Sequence, residues 1–415
     1  MNGQLGGLLH RILGDDLPIR FEFYDGSAVG PADSPATIVI TRPEALSRML
    51  YAPGELGVAR AYIAGDLVVE GDFLEALRLR ERMPVPRFDL KTRVQMVKVL
   101  GRAALHRPAP PPEEVKLRGR FHSTARDQAA VSHHYDVSND FYELLLGETM
   151  LYSCALWSDP RGGLDKAQTA KIDLVCRKLD IQPGMRVLDA GCGWGSLSIH
   201  AAREYGAVMT AVTLSEEQAA YARKRVAEAG LEHQVEIRVQ DYRSITDEPF
   251  DLVAAVGILE HVGSDLPNYP ATMHRLLKPG GRFFHHAISR APFRRERFPK
   301  PTFINSYVFP DAELHEIGDI VSTFQEASFE VRHVETLRDH YVLTLREWAS
   351  RLDQYWDDTL RLIGPGRARV WKLYINAAIL GFEENRLQIH HILSVKLDRG
   401  LSGMSLVPGD WSHRS

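Results

Sequence analysis

Cysteine is scarce in this chain of 415 residues. There are three, Cys154, Cys176 and Cys192, an odd number without metal-ligand spacing. That argues against a disulfide framework and a thiolate metal site, and for a reducing, cytoplasmic setting. No run of 18 apolar residues occurs, so no transmembrane helix is expected. The opening MNGQLGGLLHRILGDD lacks a charged start, a long apolar core and a small-residue cleavage site, so no signal peptide is expected. The histidine pairs His133-His134 and His390-His391 lack H-x-x-x-H helical spacing, and no metal is expected. There is no internal repeat and no G-x-G-x-x-G fingerprint of a dinucleotide site.

What is present is ordinary in bulk: 44% hydrophobic and 25% charged residues, enough chain for two or three domains with a sizeable core. The charge is not evenly spread. Between Arg78 and Arg126, 13 Arg and Lys residues stand against Glu81, Asp89, Glu113 and Glu114, so this segment carries +9 and the remainder −13. A basic segment on an acidic protein invites an anionic partner, a membrane surface or a nucleic acid. The ordinary alternative is a solvated helix and linker.

The periodicity divides the chain into a small α+β N-terminal domain (1–105), a Pro-rich basic linker (106–122), an α/β domain (123–400) and a tail (401–415). In the first, strands are expected at 21–24, 36–40 and 67–70. Helices are expected at 43–50, with Thr41 as N-cap, at 56–64 and at 72–82. Leu90 to Leu105 reads as a basic amphipathic helix, and Pro108 to Pro112 breaks regular structure. Beyond it, helices at 127–134, 138–146 (capped by Ser138) and 167–179 lead into an alternation. Strands at 186–189, 208–212, 235–239, 252–256 and 281–287 interleave with helices at 196–205, 216–229 and 269–277. This is the pattern of a mostly parallel, doubly wound sheet with helices on both faces. Two late helices, 345–362 and 368–385, could cap the sheet or shape a substrate channel.

The stretch Val187 to Gly195, VLDAGCGWG, is the sharpest local signal. An apolar strand ends in Asp189, and Gly191, Gly193 and Gly195 follow at alternate positions. Such glycines allow positive φ and remove the Cβ atoms that would keep a nucleoside away from the backbone. The spacing D-x-G-x-G-x-G favours S-adenosylmethionine (SAM) over a dinucleotide, because no pyrophosphate has to sit on the helix N-terminus. About 20 residues on, where a ribose-binding acid is usual, stand the neutral Thr213-Leu214-Ser215 and Gln218.

His134-Tyr135-Asp136-Val137-Ser138-Asn139-Asp140-Phe141-Tyr142, Leu151-Tyr152-Ser153-Cys154-Ala155, the glycine turn, VTLSEEQ, Gln240-Asp241-Tyr242-Arg243, Leu259-Glu260-His261-Val262-Gly263 and Asp339-His340-Tyr341 occur in one order. Together they resemble the cyclopropane fatty acid synthase family, from about residue 121 to 400 and more weakly in the N-terminal region. The resemblance implies a Rossmann-like class I SAM-dependent methyltransferase. Such an enzyme transfers a one-carbon unit from SAM to the cis double bond of an unsaturated phospholipid acyl chain. The resulting carbocation loses a proton from the new methyl group to a bound bicarbonate, and a cyclopropane ring closes.

The resemblance carries the bicarbonate cradle onto Cys154, Glu260, His286, Ile288 and Tyr341. Backbone N–H groups at Cys154 or Ile288, the His286 imidazole and the Tyr341 phenol would donate to the anion, and Glu260 would accept from its hydroxyl. It carries the SAM contacts onto Tyr152, Ser153, Gly191, Gly193, Thr213, Leu214 and Gln218. Asp241 and Tyr242 would lie at the adenine edge, with Asp241 accepting from its amino group. Tyr135 would add a cation–π contact. Taken singly, Cys154 is an ordinary buried thiol, Glu260 a strand-end acid, Tyr341 a core aromatic and Trp194 packing behind the glycines. His285 and His286 alternate across a strand, so only one faces the site; the family match selects His286.

Ala287-Ile288-Ser289-Arg290 departs from the Thr and Gly usual around that isoleucine. With Gly403-Met404-Ser405-Leu406 it resembles a branch in which a hydride shift and proton loss leave a 10-methylene chain, the precursor of a 10-methyl one. That product would require a separate reductase partner. Expected partners are otherwise unsaturated phospholipid chains at an anionic surface, on the inner face of the cell membrane, and a second copy of the chain; nucleic acid is not expected. A soluble small-molecule or RNA methyltransferase and a non-catalytic lipid-binding protein are the competing classes.

Overall fold

The computed structural model describes residues 4–80, 82–83, 101, 107–115, 138–262, 265–292, 302–310 and 313–406. The expected helices at 90–105 and 127–134, Tyr135 and the His133-His134 pair therefore lie outside the described residues. The chain divides into two compact units, 1–116 with 296–308 and 356–380, and 117–295 with 309–355 and 381–415.

The first unit holds α1 (Gln4–Leu13), β1 (Arg20–Phe23), β2 (Ala28–Val29), β3 (Ala36–Ile40), α2 (Pro43–Tyr51), α3 (Glu55–Ala64), β4 (Leu67–Gly71) and α4 (Phe73–Arg80). The sheet order is β2-β1-β3-β4, with β1 and β3 parallel. Leu5, Phe23, Ile40, Ala61, Leu67 and Phe73 form its core. Thr41 is not the cap of α2: Arg42 takes that position, and the Thr41 hydroxyl donates to the carbonyls of Gly65 and Asp66, both at 3.1 Å. The hydroxyl is thus used in a tie to residues distant in sequence, and α2 starts without a side-chain cap.

Residues 356–380, read from the sequence as part of the α/β domain, cluster instead with this unit. Leu373 packs on the N-terminal core, Lys372 stands 5.6 Å over the Phe73 ring, and Arg369 donates to the Ile63 carbonyl at 3.2 Å. Residues 296–308 join it too. Tyr307 and Arg60 both donate to the Glu114 carboxylate, at 2.8 and 2.7 Å, in a largely buried cluster.

The second unit begins with α5 (Asn139–Leu146), capped as expected: Ser138 Oγ accepts from the Phe141 N–H at 3.3 Å. Next come α6 (Leu164–Leu179), β5 (Arg186–Ala190), α7 (Ser196–Tyr205), β6 (Val208–Thr213), α8 (Glu216–Glu228), β7 (Val235–Val239) and β8 (Phe250–Val256). Then follow α9 (Asn268–Leu276), β9 (Leu277–Arg290), α10 (Phe303–Tyr307, in the first unit), α11 (Ile317–Glu326), β10 (Phe329–Thr336), α12 (Arg338–Gln354), α13 (Trp356–Glu383, in the first unit as far as Leu380) and β11 (Leu387–Lys396). Helix α13 breaks at Gly364, where φ is +75°, and Pro365 opens its second half.

The seven strands are ordered β10-β11-β9-β8-β5-β6-β7. Strands β5 to β9 are parallel, and β11 enters antiparallel between β9 and β10. Both faces are covered. Apolar residues of α6, α7 and α8 meet Val187, Leu252, Ala254 and Phe284. Those of α9 and α11 meet Leu188, Val253, Phe283 and Ala287 on the other face. The alternation expected from the sequence is thus observed, while β10 and β11 go beyond it. His390 and His391 are adjacent strand residues of β11 that point to opposite faces.

Candidate active site

The site is built at the carboxyl ends of the parallel strands, where α/β sheets open for ligands. The glycine turn follows β5. The Gly191 and Cys192 N–H groups both donate to the Val212 carbonyl at 2.9 Å, folding the turn over the end of β6. Gly191 has φ +86°, which strains any residue with a Cβ, and a Cβ there would stand 1.9 Å from Ile258 Cδ1 and force that side chain to move. A Cβ on Gly193 would meet nothing within 4 Å, so the turn is open on that side. Asp189 is buried, accepts from Ser198 Oγ at 2.8 Å, and is pushed up to about 6 by burial.

At the end of β6, Thr213 Oγ1 donates to Gln218 Oε1 at 2.8 Å, and Ser215 Oγ accepts from the Gln218 N–H at 3.1 Å, capping α8. This fixes Thr213, Leu214 and Gln218 as one rigid corner. Beyond β7, Asp241 accepts from the Arg243 guanidinium at 2.6 and 3.0 Å and from the Arg243 N–H at 2.9 Å. The expected adenine contact at Asp241 therefore competes with an existing ion pair. Tyr242 stands edge-on to Tyr269 at 6.0 Å.

The loop carrying Tyr152, Ser153 and Cys154 is clamped from two helices. From α6, Gln168 Nε2 donates to the carbonyls of Leu151 and Ser153, and Lys171 Nζ to Ser153 Oγ at 2.8 Å. From α12, Thr344 Oγ1 accepts from the Ala155 N–H and the Trp157 indole, and His340 Nδ1 accepts from the Trp157 N–H. Tyr152 stacks on Trp348 at 5.2 Å; Tyr341 meets Trp348 edge-on and packs on Phe382 at 4.7 Å. Trp194 does more than pack, since its indole donates to Asn139 Oδ1 at 2.8 Å. The Cys154 thiol lies 3.6 Å from the Leu337 carbonyl, and burial pushes it up, which suits an inert group better than a nucleophile.

Glu260 and His286 complete the arrangement. Glu260 stands on the short turn Leu259–His261 after β8. Its Oε1 accepts from the Ile288 N–H at 2.7 Å. The Ile288 N–H, expected to donate to a bound anion, here donates to the Glu260 carboxyl and fixes its position. Burial pushes the Glu260 carboxyl up to about 7. Its Oε2 is buried and has no hydrogen-bond partner among the described residues. His286, opposite His391 on β11, is also buried, and neither ring nitrogen has a partner among the described residues. Burial holds it far below the ordinary histidine value, so the ring is neutral. His285 turns to the other face, with Nδ1 3.0 Å from Tyr269 Oη.

Several of these residues were not anticipated: Gln168, Lys171, Thr344 and Trp348. The one available signal was a helical repeat placing Lys171 and Lys178 on the apolar face of α6.

A seven-stranded sheet with a single reversed strand, and a glycine turn behind its first parallel strand, define a class I SAM-dependent methyltransferase. The family model for mycolic acid cyclopropane synthetase matches residues 122–392, and the chain belongs to that family. It is 40% identical over 404 residues to a probable fatty acid methyltransferase of Mycobacterium tuberculosis, Rv3720, with 94% of each chain covered. It is 36% identical over 391 residues to the tuberculostearic acid methyltransferase UfaA1 of the same organism, covering 90% of this chain and 87% of that one. The solved structure of mycolic acid cyclopropane synthase CmaA1 complexed with SAH and CTAB aligns with a TM-score of 0.60 at 28% identity, over 64% of this chain and 97% of that one. The chain is accordingly a SAM-dependent methyltransferase of the cyclopropane synthase type, the class that modifies lipid acyl chains.

Proposed function

We propose that the chain transfers the SAM methyl group to the cis double bond of an unsaturated acyl chain in a membrane phospholipid, and that proton loss from the resulting cation closes a cyclopropane ring. One observation carries this reading: Glu260 Oε2 and both nitrogens of His286 are buried without partners among the described residues. A buried polar atom of this kind takes a water or a ligand. Other buried atoms share the property. These three are set apart by lying together, since Glu260 is bonded to the N–H of Ile288, two residues from His286 on β9. Their chemistry fits a small oxyanion bearing a hydroxyl. Neutral His286 donates from one nitrogen, and ionised Glu260, held by the Ile288 N–H, accepts from a hydroxyl. Bicarbonate would be held there by His286, Glu260, Tyr341 and the Cys154 backbone, and would supply the proton acceptor.

The alkene is a weak nucleophile, so the protein's work is placement and exclusion of water. The clamped loop fixes Tyr152 and Ser153 for the methionine end of SAM. The glycine turn and the Thr213–Gln218 corner receive the nucleoside. Tyr142, Tyr152, Trp194 and Trp348 form linked aromatic contacts, whose faces favour a cation over water. Liposomes of unsaturated phospholipid should drive SAM turnover, with the label recovered in the acyl chains. Turnover driven by RNA or a small acceptor, with none on liposomes, would overturn the reading.

A second product has its own support. The chain aligns over nearly its whole length with a tuberculostearic acid methyltransferase. In the Ala287–Arg290 stretch both polar side chains have partners: Ser289 Oγ lies 2.8 Å from His390 Nδ1, and Arg290 pairs with Glu316 at 2.7 Å. On this reading the cation undergoes a hydride shift and loses its proton to give an exocyclic methylene, left for a separate reductase. Ozonolysis of the product lipid cleaves a methylene and spares a ring.

The N-terminal unit with the basic segment that follows it would bring the enzyme to the anionic inner face of the membrane as a peripheral protein, alone or as a homodimer. Among the described residues no helix is long and apolar enough to cross a membrane. Vesicle sedimentation should weaken as salt screens the surface charge over roughly 8 Å; salt-independent binding would contradict the electrostatic part.

A further inference from the structure

Helix α6 carries two lysines on the face that meets the sheet, Lys171 and Lys178, two turns apart. Both are buried, with 0% and 1% exposure. Their surroundings differ in one respect. Lys178 forms an ion pair with Glu335 and lies 3.2 Å from His391 Nδ1. Lys171 has a single hydrogen-bond partner, the neutral Ser153 hydroxyl, and no carboxylate within ion-pair distance among the described residues. A buried ammonium without a counter-ion is among the least favourable arrangements a fold can contain. Burial brings Lys171 down only to about 8, so it is still charged at neutral pH. The acid that acts on it is Asp189, raised to about 6 and so ionised at neutral pH. Its carboxylate is held by Ser198 and stands beyond ion-pair distance, so it offsets the Lys171 charge without pairing with it.

The other groups that feel Lys171 are those of the site. Its charge acts on Cys154 and opposes protonation of His286, whose two nitrogens lack partners among the described residues. Its one hydrogen bond goes to Ser153. An oxyanion entering this space would meet a cation already desolvated and already fixed in place.

We propose that Lys171 is an anion-holding residue of the reaction chamber, and that the counter-ion it lacks in the protein is a carboxylate-type oxyanion supplied by a ligand. Two sources share that chemistry, the small proton acceptor of the reaction and the methionine carboxylate of SAM. The proposal rests on the SAM-dependent reading of the site. It makes Lys171 a positioning residue: it fixes Ser153 and neutralises the anion, and it takes no proton in the reaction.

Ligand-induced melting shifts test this without turnover. Bicarbonate, S-adenosylhomocysteine and methylthioadenosine, which lacks the amino-acid carboxylate, are each added to the full chain and to Lys171→Met, with chloride as the ionic-strength control. Removing one member of a desolvated charge pair should weaken the matching ligand by about tenfold or more. Loss of the bicarbonate shift assigns the small oxyanion. Loss of the advantage of S-adenosylhomocysteine over methylthioadenosine assigns the methionine carboxylate. Either supports the proposal. A folded Lys171→Met that responds to all three like the parent overturns it.

Should Lys171→Met not fold, the unmutated chain still decides. Its affinity for formate, which does not titrate in this range, should fall as pH rises through 8, and constant affinity overturns the proposal. If the unmutated chain fails to bind S-adenosylhomocysteine at all, the SAM-dependent reading fails and Lys171 loses its role with it. That result is distinct from a defect confined to the variant.

Discussion

His285 and His286 are neighbours on one strand, equally buried and both kept neutral, yet they occupy opposite kinds of surroundings. His285 faces the side covered by α9 and α11. Its Nδ1 meets Tyr269 Oη, and its ring packs against Phe324 at 5.3 Å. His286 faces the side of α6, 4.8 Å from the His391 ring, with no partner on either nitrogen among the described residues. Lys178 and Lys171 repeat the contrast on α6, one with its carboxylate and one without. Burial alone therefore does not mark the site. The difference between the two rings is one of degree. Among the described residues His285 leaves only Nε2 open, whereas His286 leaves both nitrogens open and lies two residues along β9 from Ile288, which holds Glu260 and its open Oε2.

The sharpest way to break this comparison is to exchange each histidine for an apolar ring. His286→Phe should lower lipid-stimulated SAM turnover by about a hundredfold or more, the range for losing one donor that holds a reacting oxyanion. S-adenosylhomocysteine should still bind, because the glycine turn and the Thr213–Gln218 corner are untouched. His285→Phe should leave turnover within a few-fold and act on stability instead. Initial rates and melting curves on both variants decide it. Equal rate losses at the two positions would remove the distinction between the faces.

This contrast is also where sequence reading reached its limit. The alternation of strands and helices, the glycine turn and the Ser138 cap were legible because each is a local pattern with a local cause. That His285 and His286 diverge followed from the two-residue period of a strand. Partnership was not legible. Nothing near Ile288 in the chain says that its N–H goes to Glu260, 28 residues away. Nothing near Thr41 says that its hydroxyl goes to Gly65 and Asp66. Residues 356–380 have the period of a buried helix, but that period does not name the core that buries it. Strands β10 and β11 carry charged and histidine residues at positions an isolated apolar pattern would not accept, and they gain their place from each other and from β9.

Glu260 gives the next largest effect and a pH signature. Its folded value is raised to about 7 from an ordinary value of 4.5. The fold therefore favours the protonated form. The stability from this group is present below 4.5 and lost as pH rises through 7. Catalysis runs the other way, since accepting a hydroxyl proton at Oε2 needs the ionised form. Turnover should climb through pH 7 in the parent. Glu260→Gln, which keeps an oxygen for the Ile288 N–H, should lower the rate and flatten that limb. The variant should also lose the parent's extra fall in melting temperature between pH 5 and 7.5, measured as the difference between the two proteins. A rate profile unchanged by the substitution would remove Glu260 from the site.

The smallest effect tests the face covered by α9 and α11. Tyr269→Phe deletes the hydroxyl that meets His285 and leaves the ring contacts with Phe283 and Phe324 in place. Losing one buried hydrogen bond should cost about 1 kcal/mol of stability. Turnover, its pH dependence and ligand binding should be unchanged, because no group on the α6 side of β9 is altered. A denaturant titration run beside the lipid assay measures both. If Tyr269→Phe slowed turnover as strongly as it destabilised the fold, the sheet would be transmitting changes from one face to the other, and the two histidines could not be treated as independent.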